Sequence, residues 1–178
     1  MPEPLIRPAV PADIPAITTI YRPSVLNGTA SFELDPPNEA EMLARWRAIT
    51  DAGFPYLAVE QDGQVVAYGY ANHYRTRPAY RFTVEESVYV APEMHGQGLG
   101  RTLLAAVIAK CAEKGLRQMI AVIGDSEQYA SIRLHRALGF QFAGTLHSVG
   151  WKHGRWLDGV LMQRSLGKGD STPPASGT

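Results

Sequence analysis

From Val84 to Leu104 the chain reads VEESVYVAPEMHGQGLGRTLL: a β-branched run, a glycine-dense loop, then the start of an apolar helical pattern. Glycine lets a backbone approach a ligand closely, and the first N–H groups of a helix lack intrahelical acceptors. His95-Gly96-Gln97-Gly98-Leu99-Gly100, followed by Arg101, therefore describes a backbone cradle for an anion such as a pyrophosphate. Two better-known phosphate loops do not fit. Arg101 stands where the dinucleotide pattern needs a third glycine, and Gly100-Arg101-Thr102 replaces the Gly-Lys-Ser/Thr of ATPase loops. On glycine spacing alone a plain tight turn stays open as the alternative.

Side chains able to move protons lie on both sides of this loop. Glu85 and Glu86 sit on the preceding run, where strand alternation sends at most one of them to a given face. His135, in ASIRLHRALGF, carries an imidazole that titrates near neutrality. Arg75, Thr76 and Arg77 precede the glutamates, and guanidinium forks suit a carboxylate or a phosphinate-like group. Each has a structural alternative: polar strand positions, a packed histidine, a solvated loop. Cys111 falls within an apolar helical run, where a thiol is inert, and His73 and His147 have no motif around them.

The surrounding pattern says what must hold these residues. LIRPAV reads as a short strand; Asp13 is expected to cap a helix through Ile14, Ile17, Ile20 and Tyr21 that stops at Asn27-Gly28. TASFELDPP is loop-like. Asn38 and Glu41 form a capping-box pattern for a helix through Met42, Leu43, Trp46 and Ile49, ended by Gly53. Two β-rich runs then flank Asp62-Gly63, a tight-hairpin dipeptide, and RFTVEESVYV adds a third antiparallel strand. After the glycine loop the period changes to helical in LLAAVIAKCAEKG, and MIAVIG reads as a buried strand reached by a parallel crossover. YASIRLHRALG is a helix, and a last hairpin turns at His153-Gly154. Residues 1–166 read as one domain, and the tail 167–178, GKGDSTPPASGT, is expected to be disordered for want of apolar content.

Composition narrows the class further. The 178 residues suffice for a core without staples, and 17 basic side chains cancel 17 acidic ones, so charge argues for neither nucleic acid nor an anionic membrane. A single cysteine offers no disulfide within the chain and no metal ligand set. With no membrane-length run and no signal-peptide pattern, the expected location is the cytoplasm.

The strand VEESVYV, the loop HGQGLG, the strand MIAVIG and the helix ASIRLHRALGF resemble the GNAT superfamily of acetyl-CoA-dependent N-acetyltransferases. IRPAVPADIPAITTIY, TASFE, RTRPAYRFTVEESVYV, LHRALGF and VGWKHGRWLD are similar, more narrowly, to the phosphinothricin and methionine sulfoximine N-acetyltransferases, over about residues 5 to 164. The resemblance implies an α/β fold of α+β type: a mixed, mostly antiparallel central sheet, splayed at the acetyl-CoA site and flanked by helices. It also implies that acetyl-CoA lies against the backbone of Val88, Tyr89 and Val90, with its pyrophosphate on Gly96, Gln97, Gly98, Leu99, Gly100 and Arg101, and with Gln128 and Ser131 beside it.

On the same resemblance, Glu85 is the base for the amine and His135 acts near the sulfur. Phe32, Arg75, Thr76, Arg77, Glu85, Glu86 and Ser87 face a small amino-acid analogue as acceptor, and the protein is a homodimer. Direct transfer in a ternary complex is expected, since no acyl-accepting nucleophile is visible. His95 departs from the family loop, which usually starts with Arg or Gln, and GDSEQYAS lacks the family's Asn, leaving Gln128 as the nearest amide. The rivals are another amine acceptor (a polyamine, an aminoglycoside or a protein N-terminus) and a non-catalytic acetyl-CoA-binding regulator.

Overall fold

The computed structural model describes residues 4–175. In chain order the elements are β1 (Leu5–Pro8), α1 (Ile14–Leu26), α2 (Glu39–Asp51), β2 (Tyr56–Gln61), β3 (Gln64–His73), β4 (Thr83–Val90), α3 (Leu99–Glu113), β5 (Gln118–Gly124), α4 (Tyr129–Ala137), β6 (Gln141–Lys152) and β7 (Arg155–Ser165). The strands form one sheet in the order β1-β2-β3-β4-β5-β7-β6. Every neighbouring pair is antiparallel except β4 with β5, the parallel pair that the crossover through α3 requires. Both tight hairpins turn as their dipeptides demand, with positive φ at Asp62 (52°), Gly63 (76°), His153 (52°) and Gly154 (73°).

Alternation along the strands builds two cores. Val84, Met119 and Ala121 bury with Leu103, Leu104, Val107 and Cys111 of α3. On the other face Tyr56, Ala58 and Tyr68 bury with Ile17, Tyr21 and Val25 of α1 and Met42 and Ile49 of α2. Because Val84 faces α3, Glu86 and Val88 share that side, whereas Glu85, Ser87 and Tyr89 face α1 and α2. The two adjacent glutamates are thereby sent to opposite sides of the sheet.

Helix α2 starts as its sequence indicates, with Asn38 Oδ1 accepting the Glu41 N–H at 2.9 Å; the return half of the box is missing because Glu41 turns to Arg45. Asp13 does not cap α1 with its side chain. A 3-10 turn over Pro11–Asp13 runs straight into the helix, so Asp13 is already helical (φ −82°, ψ −16°), whereas a capping residue needs extended backbone. Its carboxylate instead accepts from Arg7 at 2.7 and 2.9 Å and from the Val10 N–H at 2.8 Å, and Arg7 also reaches Glu60.

Arg7's hydrogen bonds, opposed by burial and helped by the Val10 N–H, hold the Asp13 carboxyl below its ordinary range. A depressed carboxylate stabilises the fold above its unfolded pKa of about 3.9, and that stabilisation is lost as pH falls through the folded value. Asp13→Asn is expected to cost about 1.5–3 kcal/mol at pH 7, the range for hydrogen bonds to charged groups. Urea unfolding at pH 7 and again in acid should show the difference shrinking in acid; equal losses at both would disprove the linkage.

Residues 167–175 of the tail make polar contacts with the domain. Arg117 donates to the Gly169 carbonyl at 2.8 Å, to Thr172 at 3.0 Å and to the Pro173 carbonyl at 2.9 Å. Its last three residues lie outside the described part.

Candidate active site

The strands β4 and β5 pair only at Thr83, Val84 and Glu85 with Gln118, Met119 and Ile120. Beyond Glu85 the two diverge, although β4 stays paired with β3 as far as Val90. The edge of β4 turned toward β5 thus offers backbone groups at Glu86–Val90 with no strand partner. A cavity of about 90 Å³ opens in the splay, walled by Ser87, Val88, Tyr89, Ile123, Ser131 and His135 among others.

The glycine loop lies at the end of this edge. Gly96 and Gly98 have φ of 80° and 81°, values that L side chains rarely adopt, and Gly98 is the N-cap of α3 without any side-chain cap. Arg101 and Thr102 both donate to the Gly98 carbonyl at 3.1 Å, while Leu99 and Gly100 stand in the first turn, where N–H groups have no intrahelical acceptor. His95 fills the atypical first position structurally: its Nε2 meets the Val90 carbonyl at 3.0 Å, tying loop to strand. The unpaired strand edge and the uncapped helix start fit the amide arm and pyrophosphate of a CoA thioester.

The two glutamates have different settings. Glu85 lies opposite Asn72 on β3 and is partly buried; burial raises its pKa first, the charge of Glu86 adds to this, and Arg75 opposes it. Glu86, expected to face the acceptor, lies on the opposite side of the sheet from Glu85: it is buried toward α3 and α4, with Oε1 2.7 Å from Nε2 of His135. Nδ1 of His135 meets the Ser131 carbonyl at 2.7 Å. Gln128, expected beside the cofactor, turns to the 29–33 loop and donates to Thr29 Oγ1 at 2.9 Å.

That loop crosses the splay. Phe32 lies over Gly124 of β5 and Gly150 of β6, where added Cβ atoms would come within 2.8 and 2.6 Å of its ring. Arg75, Thr76 and Arg77 line an open hollow with Tyr74 and Tyr80, and the Arg75 guanidinium lies 5.1 Å over the Tyr74 ring. A deeper hollow of about 210 Å³ on the Glu85 face has tyrosine walls (Tyr21, Tyr56, Tyr68 and Tyr70), with Met42 and Ile49, and includes Arg45 and Asn72.

Several residues that shape the site carry no sequence signal. Lys152 is buried in β6 and donates to the Ser31 carbonyl at 2.7 Å, and burial lowers its pKa. Asp125 has φ of 76° and accepts from Thr29 at 2.8 Å and Arg155 at 2.6 Å. Glu33 accepts from Tyr21 and from Arg45, joining the loop to α1 and α2. The Gly124-Asp125 dipeptide, a turn-type pair, is the local hint for Asp125, while Glu33 and Lys152 lie within the segments TASFE and VGWKHGRWLD without a role legible for either.

Comparison with known proteins agrees with this architecture. The chain is 57% identical over 162 residues, 91% of this chain and 82% of the other, to phosphinothricin N-acetyltransferase of Alcaligenes faecalis. It is 41% identical over 169 residues, 94% of this chain and 98% of the other, to the L-methionine sulfoximine/L-methionine sulfone acetyltransferase of Pseudomonas aeruginosa. A crystal structure of a GNAT superfamily phosphinothricin acetyltransferase from Sinorhizobium meliloti in complex with AcCoA superposes with a TM-score of 0.95 at 49% identity, covering 98% of this chain and 95% of that one. The acetyltransferase (GNAT) family pattern matches residues 16–140, and the chain belongs to that family.

Proposed function

We propose that this N-acetyltransferase moves acetyl from acetyl-CoA to the α-amine of a small amino-acid analogue of the L-phosphinothricin or L-methionine sulfoximine type. The observation that carries the reading is the unpaired β4 edge running into the uncapped start of α3. Acetyl-CoA would supply the activated thioester, held by the backbone of Val88–Val90 and of Gly96–Arg101. The chain's own part is to hold a neutral amine in place, and orienting two reactants is worth up to about 7 to 11 kcal/mol.

Glu85 is the base that takes the amine's proton, directly or through water. Arg75 and Arg77 hold the acceptor's carboxylate, a role that their exposed place in the hollow beside Tyr74 and Tyr80 supports. The tyrosine-walled hollow beside Asn72 receives its side chain. Transfer is direct: burial pushes the Cys111 thiol up to about 12, too high for an acyl carrier at neutral pH.

A homodimer is part of this reading. Strand β6 leaves Phe142, Leu146, Val149 and Trp151 exposed on a sheet edge, with Trp156 of β7 packed 5.2 Å from Trp151, and such an edge needs cover. We place the enzyme in the cytoplasm, which the single, unpaired cysteine supports.

The test is the rate of free-thiol release from acetyl-CoA by the purified protein, with and without L-methionine sulfoximine. Strong acceptor-dependent release is expected. No release with any amino-acid analogue, while acetyl-CoA still raises Tm, would overturn the acceptor assignment and favour the regulator; release with polyamines or aminoglycosides alone would move the enzyme to another acceptor class.

A further inference from the structure

Nothing about the acceptor explains why Glu86 is buried against α4. Glu86 and His135 are 7% and 5% exposed, and both border the cavity in the splay. A backbone carbonyl can only accept, so the 2.7 Å contact of Nδ1 with Ser131 O puts a hydrogen on Nδ1. The 2.7 Å contact of Nε2 with Glu86 Oε1 then holds one further proton between ring and carboxyl. Both ring nitrogens are engaged, leaving no free lone pair to act as a base.

We propose that Glu86 is a positioning residue that keeps a proton on Nε2 of His135, making the pair the proton donor to the departing sulfur and not the base for the amine. This rests on the acetyl transfer proposed above. As the thioester C–S bond breaks, sulfur leaves with the electron pair and takes the Nε2 proton, which turns from the Glu86 carboxylate toward the cavity that both residues border. The proton displaced from the amine as the C–N bond forms goes to Glu85 and on to solvent, and solvent returns one to His135, so the cycle balances.

The surroundings suit a charge shared within the pair. From β4 the Glu86 carboxylate meets the ring; β5 contributes Val122, Ile123 and Gly124 to the cavity, and the Phe140 ring packs edge-on at 5.0 Å. The α3 group within electrostatic reach of Glu86 is the neutral Cys111 thiol, and Arg133 and Arg136 of α4 are exposed. Glu85 and Tyr89, on the opposite face of β4, also sense the charge of Glu86. Burial lowers the pKa of His135, but its hydrogen bond to Glu86, the charge of that carboxylate and the Ser131 carbonyl together raise it above the ordinary histidine value.

A raised histidine pKa keeps the donor form to higher pH, so removing the carboxylate's charge must bring its loss to lower pH. The experiment follows the imidazole nitrogens of His135 by NMR in 15N-histidine-labelled full-length protein without acetyl-CoA, the signal being identified by its disappearance in His135→Gln. Glu86→Gln is expected to lower the titration of His135 by about 1–3 pH units, the effect of losing an adjacent opposite charge. The alkaline limb of the kcat profile should move down by the same amount, while Glu86→Asp, which keeps the charge, stays near wild type.

Identical His135 titrations in wild type and Glu86→Gln would overturn the proposal, as would an unshifted alkaline limb. If Glu86→Gln fails to fold, Glu86→Ser carries the same NMR test. A shifted titration in a protein that shows no thiol release would overturn the donor role through the transfer reading, and would leave the coupling of the pair intact.

Discussion

Replacing Glu85 by glutamine is expected to lower kcat roughly 10²–10⁴-fold, the range for losing a positioned general base. Acetyl-CoA binding should be unchanged, because the cradle proposed for it is the backbone of Gly96–Arg101 at the start of α3 and not this side chain. The pH profile separates a base from a structural glutamate. Burial, then the charge of Glu86, raises the Glu85 pKa against the pull of Arg75, so the acid limb of kcat/KM should lie above the ordinary carboxylate range and disappear in Glu85→Gln.

Stability should change in the opposite direction to activity. With its folded pKa above the unfolded one, Glu85 makes the native state bind more protons, so stability falls as pH rises from the ordinary carboxylate pKa of about 4.3 through the raised value. Above that window the neutral glutamine should raise Tm slightly. An active variant with an intact acid limb would remove Glu85 from the chemistry, whatever happened to Tm.

The order of elements was legible because each change of period leaves a local mark. Asp62-Gly63 and His153-Gly154 turn hairpins by their own backbone preference, and Gly115 (φ 80°) and Gly139 (φ 84°) end α3 and α4 from one position. The glycine loop was legible for the same reason, since an uncapped helix start after a strand is a local feature. The place where β4 and β5 part is not, because residues 83–85 and 86–90 are equally good strand and only the course of the partner distinguishes them.

Side-chain destinations were harder to read than elements. Alternation required Glu85 and Glu86 to separate, but which one met α4 depended on His135, 49 residues away in sequence. Gln128 looked available for a cofactor because its competitor, the Thr29 hydroxyl, lies 99 residues back. Lys152 lies in the segment VGWKHGRWLD but gave no sign of burial: a lysine in a hairpin reads as solvated, and it is buried here because the Ser31 and Ser24 carbonyls offer it acceptors. Asp13 misled in another way, since the pattern for a helix cap does not foresee a preceding 3-10 turn.

The largest effect expected from a substitution without titratable chemistry is at Gly124. Its φ is not left-handed, so alanine is acceptable to the backbone, but a Cβ there would lie 2.5 Å from the Thr29 carbonyl oxygen, 2.8 Å from Phe32 Cε1 and 3.1 Å from the Ala30 carbonyl oxygen. Two of these are backbone atoms of the loop over the splay, and they move only if the loop moves. Thr29 is held to Asp125, and Ser31 to Lys152, so the strain cannot relax cheaply. Gly124→Ala is therefore expected to lose about 1–3 kcal/mol of stability, as overpacked sites do, and to raise the acceptor KM by displacing the loop. Gly150→Ala is the control: the three atoms nearest its Cβ would all belong to the Phe32 ring, at 2.6 to 3.1 Å, and that partly exposed ring can swing away. Stability should then change little while acceptor KM rises with kcat nearly kept, the signature of lost uniform binding. Urea unfolding and steady-state kinetics on both variants decide the matter. Equal stability of Gly124→Ala and wild type would show that the loop yields freely, and an unchanged acceptor KM in both variants would remove Phe32 and its loop from acceptor binding.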